Sequence, residues 1–432
     1  MLRKWQSITL WKRVLIGLAL GALLGLSAHY LGGEAAIAFV TNWIYPFGEA
    51  FVRLIKMLIL PLIFTTLVVG VIAMGDPKRL GSLGFKTIAL YLGTTFFAVF
   101  LGLISGTIFK PGEGVDLSNV DPALRADLAK TATQETPTIS ESLLAIIPEN
   151  PVAAMAGNDL IPVIFFAIII GIGIISVGEK GKPLANFFDS AERVVMKITL
   201  FVMELAPFGV FALISWVMAD VGLGIISAMG KLALALYLAC FVHIVVVYGG
   251  ILVRMVLKLP LVRFFYGVVD AQGVAFSTSS SSATLPVTIS CAKDNLGVDD
   301  SIAGSVLPLG ATINMDGTAI YLGIIALFAA QALGIDLSLM DYVLVAITVT
   351  LTSIGTASVP SASLFLAFAV LGVFGVSLEQ YTLIIAFIFP FDRLLDMMRT
   401  VTNVTGDIAV ACTVAKWEDQ LDEDVFRAEP VH

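Results

Sequence analysis

Long uncharged apolar stretches recur along the 432-residue chain, near 12–32, 38–74, 86–109, 152–178, 194–219 and 225–257. About 20 apolar helical residues cross the hydrocarbon of a bilayer, so each stretch predicts a spanning helix. The second and fifth are long enough to require tilt or a polar end. Basic residues then assign sides, because short cytoplasmic loops are enriched in Lys and Arg. Arg3, Lys4, Lys12 and Arg13 precede the first span. Lys78, Arg79 and Lys86 follow two crossings later, then Lys180, Lys182, Arg193 and Lys197, then Arg254, Lys258 and Arg263. Every even loop is basic, which puts the N-terminus in the cytoplasm. On the odd side, residues 110–150 carry Glu113, Asp116, Asp121, Asp127, Glu135, Glu141 and Glu149 against Lys110, Arg125 and Lys130, and the loop 111–150 is expected to be extracellular.

The last 170 or so residues break this pattern. Small polar clusters with proline interrupt the apolar runs at Ser277–Pro286 and at Thr352–Ser363. Non-helical backbone at membrane depth is tolerated only where protein buries it or it lines a cavity. A pair of interrupted segments in corresponding halves points to a transporter binding site formed by two re-entrant helical hairpins. Two external Ser-rich loops are the plainer alternative. After the first cluster comes a span with Asn314-Met-Asp-Gly-Thr318, and after the second one with Asn403-Val-Thr-Gly-Asp407, so the order of parts repeats.

Composition agrees and excludes other classes. The chain is 58% hydrophobic and 13% charged, with a formal charge of -8. Its mean hydropathy is +0.96 and its pI about 5.0. An acidic chain without a basic footprint is not a nucleic-acid binder. Cys240, Cys291 and Cys412 have no paired spacing, so neither a disulfide framework nor a zinc site follows. No G-x-x-x-x-G-K-[ST] loop is present to bind ATP. The apolar N-terminal run opens directly into further spans, unlike a cleaved signal.

The last span carries Asp392, Asp396, Arg399, Asn403 and Asp407. At 100° per residue they form one stripe of about 80°. Each intramembrane charge costs roughly 2.5–3.5 kcal/mol on insertion scales, so the stripe needs partners. An ion-pair ladder closing on Arg399 is expected to account for one acid and leave two for cations and a ligand. In the first motif, Asn314 and Asp316 supply hard oxygens, and Gly310, Gly317 and Thr318 permit unwound backbone. Tyr91, Thr94 and Thr95 add hydroxyls, although alone they would read as helix packing. Sodium prefers such carboxylate, carbonyl and hydroxyl oxygens. A guanidinium reads a carboxylate in two-point geometry, and a buried aspartate accepts from an ammonium.

The hairpin tip Ser280-Ser-Ser-Ala-Thr-Leu-Pro286, Asn314–Thr318 and Asp396-Met-Met-Arg-Thr-Val-Thr-Asn-Val-Thr-Gly-Asp407 closely resemble the glutamate/aspartate transporters of the dicarboxylate/amino acid:cation symporter family, over nearly the whole chain. The resemblance implies a prokaryotic sodium-coupled acidic amino acid transporter. It implies an all-α polytopic membrane protein of eight transmembrane helices plus two re-entrant hairpins, with inverted repeats, working as a homotrimer by an elevator mechanism. Residues 1–85 and 151–222 would be scaffold. Residues 86–110 and 223–416 would form the transport domain, with hairpins at about 260–293 and 335–373, and 417–432 would be a cytoplasmic tail. The location implied is the inner membrane, among lipid, with both termini cytoplasmic.

Residue by residue, the resemblance has Asp396 bind the substrate amine and Arg399, helped by Thr318, its side-chain carboxylate. Asn403, Thr400 and Ser281 would hold the main-chain groups, and Val359 and Ser363 would close the second hairpin. One sodium site would use Asp407 with carbonyls of Gly310, Asn314 and Asn403. A second would use Thr312, Ser353, Ile354 and Thr356, and a third Tyr91, Thr94, Thr95, Asn314 and Asp316. Two departures stand out. Ser279 occupies the tip position where archaeal members carry arginine, and Ser358, Ser361 and Ser363 replace frequent glycines. Arg393, three residues before Asp396 and beside Asp392, is therefore expected to keep Asp396 ionised in the empty site, with anchoring the helix or pairing with Asp392 as the alternative. A proton-coupled glutamate/aspartate or C4-dicarboxylate symporter of the same family stays open. Asp396 disfavours the dicarboxylate version, Arg399 a neutral amino acid transporter, and the amine-plus-carboxylate pairing an ion channel.

Overall fold

A computed structural model describes residues 10–73, 77–115, 144, 147–157, 160–220, 224–354, 356 and 361–430. These are almost wholly helical, with one isolated antiparallel bridge, Val298 to Leu421, among the described residues. Among the described residues, five helical stretches have the length and apolarity to cross a membrane: Lys12–Phe51, Leu83–Phe109, Pro162–Thr199, Ser227–Leu257 and Asp300–Leu333. Most of the loop 111–150 lies outside the described residues.

In chain order, α1 (Leu10–Ser27) and α2 (Gly33–Phe39) lead into α3 (Tyr45–Ala73) and α4 (Pro77–Phe109). The chain turns between the first two at Gly33, whose φ of +62° suits only glycine comfortably. Short α5 (Pro151–Gly157) precedes α6 (Leu160–Val177), α7 (Lys182–Met203) and α8 (Ala206–Asp220). The expected single fifth span is thus interrupted between Met203 and Ala206. Helix α1 packs along α8 through Gly17, Gly21 and Gly25, where a Cβ would lie 2.3, 2.6 and 2.4 Å from the carbonyl oxygens of Pro207, Phe211 and Ser215. Glycines four apart allow that backbone approach, as small residues do between membrane helices.

The remaining elements surround the polar residues. α9 (Gly224–Val242) continues as a π-helical stretch, His243–Leu257. α10 (Leu261–Thr278) and α11 (Ser281–Ser290) fold back on each other, with Asn295 Nδ2 donating to Gly267 O (3.1 Å) at the base and the Thr278 and Thr284 hydroxyls 3.3 Å apart at the tip. α12 (Asp300–Ile313) and α13 (Asp316–Leu333) are one span broken at Asn314 and Met315, whose backbones leave the helical region. In α13 every residue but Gln331 is buried, as expected of a helix apolar all round. α14 (Leu339–Ile354) packs on α15 (Ala362–Gly372), and α16 (Leu378–Trp417) closes the set. At 1.5 Å per residue, the 40-residue α16 is about 60 Å long, well beyond one bilayer core.

Residues 417–430 fold back instead of trailing away. Asp422 N donates to Gly297 O (2.8 Å), Asp299 N donates to Gln420 O (3.2 Å), and Phe426 of α17 (Glu423–Arg427) is fully buried. Lys86 pairs with Glu418 at 2.8 Å. Glu423 accepts from Lys416 and Arg427, and those bonds hold its carboxyl below the usual range.

Candidate functional site

Three interrupted segments and α16 meet around one small cavity. The tip of the α10–α11 pair turns at Ser279 (φ +52°), and Ser280 caps α11 by accepting from Ala283 N (3.2 Å). Ser361, with φ of +63°, starts α15. The break at Asn314 and Met315 starts α13. The cavity is lined by Ser279, Ser281, Met315, Thr318, Thr356, Ala362, Ser363, Asp396, Thr400 and Asn403. Ser281, Thr318 and Ala362 belong to the first turns of α11, α13 and α15, so three helix N-termini converge there. N-terminal N–H groups and the helix dipole favour negative charge.

On the α16 wall, Asp392, Asp396, Arg399, Asn403 and Asp407 are all buried. Arg399 is fully buried behind the cavity wall, with Nη1 3.0 Å from Asp392 Oδ1 and Nη2 2.8 Å from Asp396 Oδ1. Its guanidinium stacks 4.0 Å from the Tyr321 ring centre, and Tyr321 donates to Asp392 Oδ1 (3.0 Å). The other Asp396 oxygen accepts from Ser361 N at 2.8 Å, tying the start of α15 to α16. The expected ladder is therefore corrected: Arg399 accounts for two acids of the stripe, not one, because Tyr321 and Asp392 hold its far edge while Asp396 takes the near one. Among the described residues Asp407 has no basic partner, while Asp316 on α13 meets the imidazole of His243, whose Nε2 lies 3.1 Å from Oδ2. Gly317 lets α13 approach this wall, since a Cβ there would lie 2.2 Å from Arg399 O. Gly317 N donates to Asn403 Oδ1 (2.8 Å), and Thr400 Oγ1 donates to Asp396 O (2.9 Å).

The oxygen-rich residues cluster deeper, between α4, α12, α13 and α16. Asn314 Nδ2 donates to Asp407 Oδ1 (3.0 Å), and Asn314 Oδ1 lies 3.4 Å from Thr94 Oγ1. Thr95 donates to Asp316 Oδ1 at 2.6 Å. Tyr91 donates to Val306 O (3.0 Å) and faces Gly310, where a Cβ would sit 2.4 Å from the Tyr91 hydroxyl and 2.5 Å from Asp407 Oδ1. Two fully buried carboxylates with no Lys or Arg partner among the described residues, ringed by hydroxyl and amide oxygens, suit monovalent hard cations. The Thr312, Ser353 and Thr356 hydroxyls each donate to a carbonyl of the preceding turn, of Leu309, Thr350 and Thr352. Ile354 ends α14, and Val359 lies outside the described residues.

Among the described contacts Arg393 makes no ion pair with Asp396, whose guanidinium partner is Arg399. The Arg393 Nη2 donates to the carbonyls of Ser277 (3.2 Å) and Thr278 (3.1 Å), at the C-terminal, partially negative end of α10. Several lining or supporting residues escaped the sequence reading. Met315, Ala362 and Tyr321 carry no chemical signal in an apolar run, and the Ser279 hydroxyl, buried with no partner among the described residues, is legible in the sequence only as the absence of an arginine.

The family model of the sodium:dicarboxylate symporters matches residues 10–417. The chain belongs to the sodium:dicarboxylate symporter family. Its members are secondary transporters, not enzymes. It is 36% identical over 414 residues, 95% of this chain and 93% of its relative, to the proton/glutamate-aspartate symporter of Escherichia coli (strain K12). It is 35% identical over 414 residues, with the same coverage, to the proton/sodium-glutamate symport protein of Bacillus subtilis (strain 168). The C4-dicarboxylate transport protein of Rhodospirillum rubrum is 33% identical over 419 residues, 96% of this chain and 90% of that one. The buried carboxylates of this symporter thus sit in an integral membrane protein.

Proposed function

We propose that this symporter takes up acidic amino acids, aspartate or glutamate, coupled to sodium ions. The observation that carries the reading is the pairing of Asp396 and Arg399 at a cavity where three helix N-termini converge. An amino acid with a second carboxylate matches it group by group. Its ammonium would take Asp396, and its side-chain carboxylate would take the edge of Arg399 so released, with Thr318 beside it. Ser281, Thr400 and Asn403 would hold the main-chain carboxylate, with Ser363 and Val359 closing over the site. The exchange leaves both Asp396 and Arg399 partnered, which is the condition for charge at membrane depth.

Sodium would bind as co-substrate at Asp407 with Gly310, Asn314 and Asn403, at the Tyr91, Thr94, Thr95, Asn314 and Asp316 cluster, and at Thr312, Ser353, Ile354 and Thr356. The same reading makes the protein a homotrimer in the inner membrane, both termini cytoplasmic, whose transport domain slides as an elevator. Uptake of labelled aspartate into proteoliposomes, with sodium, proton and potassium gradients imposed separately, tests it. Sodium-driven uptake with affinity rising steeply with sodium is expected. Equal uptake on a proton gradient in sodium-free buffer refutes sodium coupling, and competition by succinate as strong as by glutamate refutes the amino acid assignment.

A further inference from the structure

Asp316 is held from a side that the spacing of its partners conceals. Its Oδ2 accepts from the Tyr248 hydroxyl at 2.7 Å and lies 3.1 Å from His243 Nε2, while Oδ1 accepts from Thr95 at 2.6 Å. A carboxylate is an acceptor only, so the histidine nitrogen facing it is the protonated, donating one. All four residues are buried. His243 and Tyr248 also meet edge to face, with ring centres 4.7 Å apart.

The backbone explains how both reach one oxygen. Residues five apart diverge by about 140° on an α-helix. His243 opens a π-helical stretch in which hydrogen bonds run to the fifth residue, so His243 and Tyr248 share a face. The Tyr248 hydroxyl is further fixed against Gly406, where a Cβ would lie 2.4 Å away. The His243 Nδ1 has no partner among the described residues, and burying it so is a cost that packing alone does not explain. The ring serves the one bond that Nε2 makes.

We propose that His243 and Tyr248 are positioning residues for the coupling-ion site: they anchor Oδ2 of Asp316 so that Oδ1 is presented to a cation beside Thr95, Thr94 and Asn314. The inference rests on the sodium reading above. Outer-shell donors of this kind, when removed, commonly cost about 10- to 100-fold in metal affinity.

The test uses purified full-length protein, with thermal unfolding as sodium is titrated without amino acid, and labelled aspartate binding at several sodium concentrations. Tyr248→Phe and His243→Leu should each raise the sodium concentration for half-maximal effect about 10-fold or more in both measurements. Aspartate affinity at saturating sodium should stay unchanged, and His243→Gln, which keeps an N–H donor, should recover part of the loss. A purely structural role would lower the unfolding temperature at every sodium concentration and leave the midpoint in place, and that result overturns the proposal. So does a Gln variant as impaired as the Leu variant, which removes the donor role of His243. Wild-type protein insensitive to sodium would sink the sodium reading itself, and this inference with it, whereas a sodium-sensitive wild type with unmoved variants sinks this inference alone.

Discussion

Arg399 balances Asp392 and Asp396 in the structure and, on the function proposed above, would also read a substrate carboxylate, and one mutant series separates the two roles. Arg399→Cys removes a fully buried guanidinium from between two carboxylates, 3.0 and 2.8 Å away. Breaking a buried pair by deleting one partner costs about 3–5 kcal/mol, because the remaining charge is stranded. Here two are stranded, so the single mutant should unfold at markedly lower temperature. Arg399→Cys with Asp392→Asn removes one charge of each sign and leaves Asp396 for an ammonium. Most of the thermal stability should return. Aspartate affinity should not, since losing a buried charged contact costs about 2–5 kcal/mol, or about 30- to 4,000-fold. Small neutral amino acids, which need only Asp396, Thr400 and Asn403, should then compete. The assay is binding of labelled aspartate to purified protein in sodium, beside thermal unfolding of the same samples. A double mutant with wild-type aspartate affinity refutes Arg399 as the carboxylate reader. A single mutant as stable as the wild type refutes the charge-balance argument.

Three further expectations follow from close approaches and charge. Gly310→Ala should favour helix by about 1 kcal/mol, yet its Cβ would lie 2.5 Å from Asp407 Oδ1 and 2.4 Å from the Tyr91 hydroxyl. Sodium titration of aspartate binding should therefore shift to higher sodium with little change in unfolding temperature. Gly21→Val places a branched side chain where even a Cβ meets Ile214 Cγ2 at 2.2 Å. It should separate α1 from α8 and lower the unfolding temperature, leaving aspartate affinity per folded molecule intact. In the C-terminal segment, Glu423 has a folded pKa below its unfolded one, so its contribution is present above the unfolded value and fades as pH falls through the folded one. Hydrogen exchange across 418–429 should be slow at neutral pH and quicken only on acidification past the ordinary carboxylate range.

What the sequence made legible was periodic. The 100° step put five polar residues of α16 on one stripe, and all five are buried in the structure. The glycine of Asn314–Thr318 marked a break, and the chain does leave the helix at Asn314 and Met315. What stayed hidden departs from that period. His243 and Tyr248 are five apart, which an α-helical reading puts on different faces, and only the π-helical stretch unites them. Arg393 lies at about 100° from Asp392 and so outside the stripe, and its bonds to Ser277 and Thr278 depend on where a hairpin some 115 residues earlier returns. The Gly17, Gly21, Gly25 series was periodic too, but small residues in an apolar run carry no sign of which helix they face. The charged segment after Trp417 read as a tail because its docking rests on a single aromatic, Phe426, and on backbone bonds to Gly297 and Asp299.

The buried charges argue for the coupling of substrate to cation, and for the amine. Across α13 and α16, the four buried carboxylates of Asp316, Asp392, Asp396 and Asp407 are set against one buried guanidinium, a formal surplus of three negative charges among the buried residues of those two helices. Such a surplus is costly inside a membrane protein, and each bound cation removes one unit of it. An acidic amino acid adds one net negative charge, so it raises the affinity of the cation sites, and by linkage each cation raises its affinity in return. A C4-dicarboxylate would add two and set a carboxylate rather than an ammonium against Asp396, whose other oxygen Ser361 N already holds. Like charges so placed repel, and one of the pair would have to take a proton. The amine removes that demand, which is the physical ground on which the proposed reading has an aspartate beside the arginine select for amino acids with a second carboxylate.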